Sequence, residues 1–277
     1  MTYRPAVRRG PEREPVEIDT TVAHEARVYD YLLGGTVNFI ADREAALRGA
    51  AAVGGLDVAR ASVLANRAFL GLAVRFLVDV GIHQFLDIGT GIPGPGHVHH
   101  VAQEAAPGAR IVYVDNDPIV LAHAHALLDG DDGATAFIEG DLRDPDDIVA
   151  RAAGVLDLRA PVGVILCAVL HHLPDADDPW GLAARLVTPL AQGSYLVATH
   201  LAGDLHAAEM AALSRSVPDD AHYVLGGRSH DEVARFFTGL TVLEPGVVPL
   251  DHWRRPGEPP PVNPAHAWLY AAIGRKP

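Results

Sequence analysis

Phe85-Leu-Asp-Ile-Gly-Thr-Gly-Ile-Pro-Gly-Pro-Gly96 decides the reading of this chain. A short apolar strand, Gln84 to Ile88, carries an acid at Asp87 and runs directly into a glycine turn. Behind the turn a helix is expected to begin near Gly96 or His97. Strand, glycine turn and helix N-terminus together make a cradle for a nucleotide-like ligand. Gly89 and Gly91 let the backbone adopt dihedrals closed to other residues and let a ligand approach the main chain.

Outward from this stretch the pattern alternates strand and helix, as in a parallel sheet covered on both faces. Strands are expected at 110–114, 134–138, 162–168 and 194–199, with closing strands near 240–243 and 267–273. Helices are expected at 118–128, 179–190 and 204–215, and Ser229 and Glu232 form a capping box. Upstream, helices are expected at 22–33, 41–53 and 58–80. This divides the chain into a mobile arm (1–18), a helical N-terminal cover (19–59) and one α/β domain (60–277). A proline-rich loop, 256–264, precedes the last strand.

Composition excludes several classes. The 277 residues are 49% hydrophobic, enough for a sizeable core. The net charge of −13 opposes non-specific binding to nucleic acid or to an anionic membrane. Cys167 is the only cysteine and lies in an apolar run, so it reads as a small packed residue. The N-terminus has no apolar segment of the secretory kind, and the expected location is the cytoplasm. His97, His99 and His100, with His123 and His125, lack carboxylate or cysteine partners at ligand spacing and read as solvated faces; no metal is expected.

In an open parallel sheet the ligand lies outside the carboxyl ends of the strands. Those ends carry Asp87, Asp115, Asp141 and the segment Val169-Leu-His-His172. Gly89-Thr-Gly91-Ile-Pro-Gly94 matches G-x-G-x-x-G, which admits an NAD-dependent oxidoreductase. A pyrophosphate at the turn would meet Asp87, however, whereas S-adenosylmethionine brings a sulfonium and an ammonium. Three carboxylates at successive strand ends favour that adenosine-bearing cation. Asp87 suits the ammonium, Asp115 the ribose diol and Asp141 the adenine amino group.

Asp87-Ile-Gly-Thr-Gly91, Asp115, Gly140-Asp141 and Ala168-Val-Leu-His-His172 resemble the successive motifs of class I S-adenosylmethionine-dependent methyltransferases. Ala23 to Arg43, Ala65-Asn-Arg-Ala-Phe69, Tyr113 to Pro118 and Asp177-Asp-Pro-Trp180 resemble an actinobacterial family of S-adenosyl methyltransferases long catalogued as a domain of unknown function. The resemblance implies a Rossmann-like, doubly wound, seven-stranded and mostly parallel sheet with an N-terminal helical segment. It implies S-adenosylmethionine held by Asp87, Gly89, Thr90, Gly91, Asp115, Asn116, Asp141, Leu142 and Val169. The resemblance settles no acceptor; a small molecule taking the methyl on oxygen or nitrogen is expected, the acidic charge opposing nucleic acid, with His171 or His172, after the fourth strand, as candidate general base. Arg27, Tyr31, Gly34, Gly35, Asn38 and Asp42 are expected to cover the cofactor and face the acceptor pocket. The alternative is a non-catalytic regulator that binds the same cofactor.

Overall fold

A computed structural model of the chain describes residues 19–94, 96–128, 134–221, 223–254 and 268–277. The expected arm (1–18) and the proline-rich loop (256–264) lie outside the described residues.

Five parallel strands form the centre: β1 (Gln84–Ile88), β2 (Arg110–Asp115), β3 (Thr135–Glu139), β4 (Gly163–Cys167) and β5 (Tyr195–Leu201). Three antiparallel strands close one edge: β6 (Thr241–Val242), β7 (Val248–Pro249) and β8 (Leu269–Arg275), giving the order β3-β2-β1-β4-β5-β8-β6 with β7 also on β8. Seven strands make the ordered path, as expected, and the two-residue β7 adds an eighth beside β8. β6 falls within the expected strand at 240–243, and β7 is an additional strand after a turn in which Pro245 has no N–H to donate and the Gly246 N–H bonds Leu243 O.

Strand order reverses between β1 and β4, which opens the crevice where such sheets bind ligands. Side chains alternate across the sheet. Leu86 and Ile88 enter one core, with α6 (Pro145–Ala152), α7 (Pro179–Val187) and α9 (His230–Ala234); Phe85 enters the other, with α3 (Leu56–Asp79) and α4 (Val98–Ala105). Helix α3 is long and apolar enough to cross a membrane by length and composition, yet Ala73, Val74 and Leu77 are fully buried in this second core. Helix α5 (Pro118–Leu128) follows β2 with proline at its first position, as the sequence implies.

Two helices precede this core. Helix α1 (Glu25–Leu32) begins three residues later than its periodicity suggests, because the His24 N–H is taken by Asp42 Oδ1 at 3.0 Å. Helix α2 (Ile40–Ala52) packs on α1 and on α8 (Ala207–Ser216), and α1 also packs on α3. The pair thus spans the space between α3 and α8, above the carboxyl end of the sheet.

Candidate active site

A cavity of about 270 Å³ lies at this end of the sheet. Its polar side is built by the ends of β1, β2 and β3. Its apolar side is built by α2, α8 and the ends of β5 and β8. Asp87, Gly89, Thr90, Gly91, Asp115, Asn116, Asp141, Leu142 and Val169 all line it, so the structure brings together every residue implied for the cofactor.

The glycine turn is shaped by sterics on one side and left open on the other. Gly89 has φ +71°, and a Cβ there would come within 2.7 Å of Val169 Cβ. Gly91 has φ +67°, and a Cβ there would meet nothing within 4 Å, which is room for a ligand against the main chain. The turn is tied to β2 by Gly89 N–H donating to Val114 O at 2.9 Å and Gly91 N–H donating to Asp115 Oδ2 at 2.9 Å.

Asp115 Oδ1 also accepts from Asp117 N at 2.9 Å, and burial pushes its carboxyl up to about 6 against these hydrogen bonds. Asp87 is 5% exposed and accepts no hydrogen bond among the described residues. Burial pushes its carboxyl up to about 7; Arg67, on α3, opposes the rise, and Asp115 adds to it. Asp141 is paired with Arg143 at 3.2 Å, and Arg143 also holds Asp177 at 2.8 Å.

His171 and His172 follow β4 in a short 3-10 turn and line the cavity. Burial drives both imidazoles down, His171 well below its ordinary value and His172 to about 4. His172, His200 and Arg228 add their charges against a proton on His171. His172 Nδ1 lies 2.9 Å from Val224 O, whereas His171 Nδ1 is sealed from solvent with no partner. Burial thus favours the neutral form of both rings, the form that can accept a proton, while lowering their basicity.

The expectation for the cover is corrected. Arg27, Tyr31, Gly34, Gly35, Asn38 and Asp42 do not line the cavity; the cover presents Glu25, Ala26, Val28, Tyr29 and Leu32 instead. Arg27 is buried, donates to Asp19 O and Val22 O, and lies 3.4 Å from Asp42. Asp42 accepts from His24 N and from Phe39 N, closing the start of both helices. Asn38 donates to Asp30 and Gly35 O, and Arg60 lies over the Tyr31 ring. At Gly35 a Cβ would fall on the Asp30 carboxylate. These residues fold the cover; they do not touch its ligand side.

Three groups escaped the reading of the sequence. Arg67 and Glu25 line the cavity as charged side chains, and Asn66 sits in a buried chain of hydrogen bonds. That chain runs from Tyr29 Oη through Asn66 (2.9 Å) to Thr199 Oγ1 (2.7 Å) and on to the Ala168 N–H (2.9 Å). Ala168, at φ +57°, is one of two described non-glycine residues with positive φ, and it lines the cavity. Two adjacent polar residues, Asn66 and Arg67, on an otherwise apolar stretch of α3 were the available signal.

Cys167 also lines the cavity, half-buried, with burial and Asp87 pushing its thiol up to about 12, so it is no nucleophile. Two histidines differ from a solvated face: His97 is buried with Nε2 3.1 Å from Ile92 O, and His99 bonds Tyr113 Oη. Among the described residues no cluster suited to a metal occurs.

Comparison with known proteins agrees with this geometry. A protein of the DUF574 family from Streptomyces avermitilis MA-4680 is 37% identical over 94% of this chain and 100% of its own, with a TM-score of 0.86. A candidate methyltransferase from Thermobifida fusca YX is 38% identical over 93% of this chain and 96% of its own, with a TM-score of 0.83. No curated protein matches significantly. The S-adenosyl methyltransferase family matches residues 11–277, and with the cofactor-side cradle at the sheet's switch point this shows that the chain belongs to that family, whose cofactor is S-adenosylmethionine.

Proposed function

We propose that the protein is an active S-adenosylmethionine-dependent methyltransferase of the cytoplasm acting on a small molecule. The observation that carries the reading is the Asp87 carboxylate, buried in the same cavity as the open face of Gly91, with no hydrogen bond among the described residues and only the charge of Arg67 to oppose its burial. A buried carboxylate without a partner is costly unless a cation completes it. Asp87 then takes the ammonium, Arg67 the carboxylate of the methionine end, Asp115 the ribose and Asp141 the adenine amino group. A dinucleotide would instead bring its pyrophosphate against Asp87.

Bound there, the cofactor supplies an electrophilic methyl group on a sulfonium. The chain's own contribution is to hold and align. The glycine turn and Asp115 fix the ribose end, while Val169 and Leu142 pack the base. The neutral His171 and His172 border the acceptor side. Alignment of this kind can supply most of the acceleration, so a strongly basic side chain is not required. Residues 19–59 act as the cover and residues 60–277 as the catalytic domain.

The test is calorimetric titration with S-adenosylmethionine, S-adenosylhomocysteine and NAD. Binding of the first two without NAD is expected, and about a tenfold or greater loss in Asp115→Ala. Binding of NAD alone would overturn the reading.

A further inference from the structure

The cofactor reading uses the ends of β1, β2 and β3; the opposite side of the cavity has its own chemistry. Two small apolar cores flank it. One contains Ala50, Val53, Met210 and Trp268, the other Ala23, Ala45 and Tyr223. They remain separate because α2 presents Ala46 and Gly49 to the space between them, and both line the cavity. The sequence of α2 explains the void: Ile40-Ala-Asp-Arg-Glu-Ala-Ala-Leu-Arg-Gly-Ala-Ala-Ala52 carries alanine and glycine where a core helix carries leucine. Trp268 and Tyr223 supply aromatic walls, and Tyr223 meets the His172 ring edge-on at 5.9 Å.

Charge narrows the occupant. Among the described lining residues the cations are Arg67 and Arg143, and both belong to the cofactor side. Arg143 is held by Asp141 and Asp177, and Arg67 acts on Asp87. An anionic acceptor would meet Glu25 and find no free cation on the apolar side, at the full cost of its desolvation. His171 brings an unengaged ring to that side. His171 is 5% exposed, and neither ring nitrogen makes a hydrogen bond among the described residues. Its Nδ1 is sealed, and a sealed N–H without an acceptor is the costlier arrangement, so the proton belongs on Nε2. His171 therefore offers a donor to the chamber.

We propose that the acceptor is an uncharged, flat aromatic molecule, seated between Trp268 and Tyr223 against the small face of α2, with an oxygen that accepts from His171 Nε2. This rests on the reading of the cavity as a methyl-transfer site.

The experiment titrates the protein, saturated with S-adenosylhomocysteine at pH 8, with 2-naphthol, decahydro-2-naphthol and 2-naphthoate. 2-Naphthol should bind, with the saturated alcohol and the anion each at least tenfold weaker. His171→Phe, which keeps the ring but removes the donor, should weaken 2-naphthol about tenfold. Ala46→Phe should abolish 2-naphthol binding while S-adenosylhomocysteine still binds, which also reports that the variant folds. Naphthoate binding as tightly as naphthol, or naphthol binding untouched by Ala46→Phe, overturns the inference alone. Failure of S-adenosylhomocysteine to bind the wild type overturns the cofactor reading and this inference with it.

Discussion

Asp87→Asn separates what this carboxylate does for the cofactor from what it does to the fold. In the free protein, burial raises the carboxyl from its ordinary 3.8 to about 7. At about 1.4 kcal/mol per pKa unit, the rise amounts to about 4 kcal/mol. Because the folded pKa lies above the unfolded one, the folded state binds the proton more tightly. Stability is therefore full below about pH 4 and is lost as pH rises through 7. Asparagine keeps the shape and cannot ionise. It should stabilise the free protein by ~2–4 kcal/mol at pH 8, the lower figure allowing for the partner that Arg67 loses, and by almost nothing at pH 4. The same change removes a charge-assisted acceptor for the ligand ammonium, so S-adenosylhomocysteine should bind roughly 10- to 100-fold more weakly at pH 8. Urea unfolding at the two pH values, with calorimetry at pH 8, measures both. Equal stabilisation at both pH values, or affinity unchanged within about twofold, would refute the assignment of Asp87 as a strained carboxylate awaiting a cation.

Two further substitutions probe the turn and the cover. Gly89→Ala should cost ~3 kcal/mol or more through overlap with Val169 and a positive φ, and adding Val169→Ala, which removes the Cγ contacts but leaves Cβ at 2.7 Å, should recover only part of that cost; a double variant no more stable than the single would show that the Cγ overlap is not the cause. Asp42→Ala, at a fully buried carboxylate, leaves Arg27 without its partner and should cost ~3–5 kcal/mol in urea unfolding. Unchanged stability with lost S-adenosylhomocysteine affinity would return Asp42 to the binding site.

The strand ends were legible because their signals are local. β1 has the bounds read from the sequence, α5 has them too, and the Ser229–Glu232 box caps α9. A strand, an acid and a glycine turn are contiguous, so one window contains the cradle. The face of the cover was not legible in this way. Arg27 and Tyr31 share one side of α1 at a spacing of four, and Glu25, Tyr29 and Leu32 share another at four and three. Both are acceptable helical stripes, and α3 decides between them by hydrogen-bonding Tyr29 through Asn66 and Val63 O. Helix α6 is not among the expected helices although Asp144 caps it and Pro145 opens it, because its eight residues carry too short an apolar stripe to show a period. Trp268 falls at the start of the expected last strand, and nothing in sequence brings it to α2.

The two sides of the cavity are built on opposite principles, and this fits two different ligands. On the cofactor side, backbone donors and buried carboxylates are fixed by hydrogen bonds: Gly91 to Asp115, Asp117 to Asp115, and Ala168 to Thr199 and so to the cover. A site that must hold one constant molecule gains from such preorganisation, because little freedom is left to lose on binding. On the acceptor side the walls are alanine, leucine, valine and two aromatic rings, shaped by what α2 lacks rather than by what it bonds. Volume there can change by substituting a single small residue without breaking a hydrogen bond. On the proposed reading, substitutions between Ala45 and Ala50 should therefore change which acceptor fits while leaving S-adenosylhomocysteine binding intact.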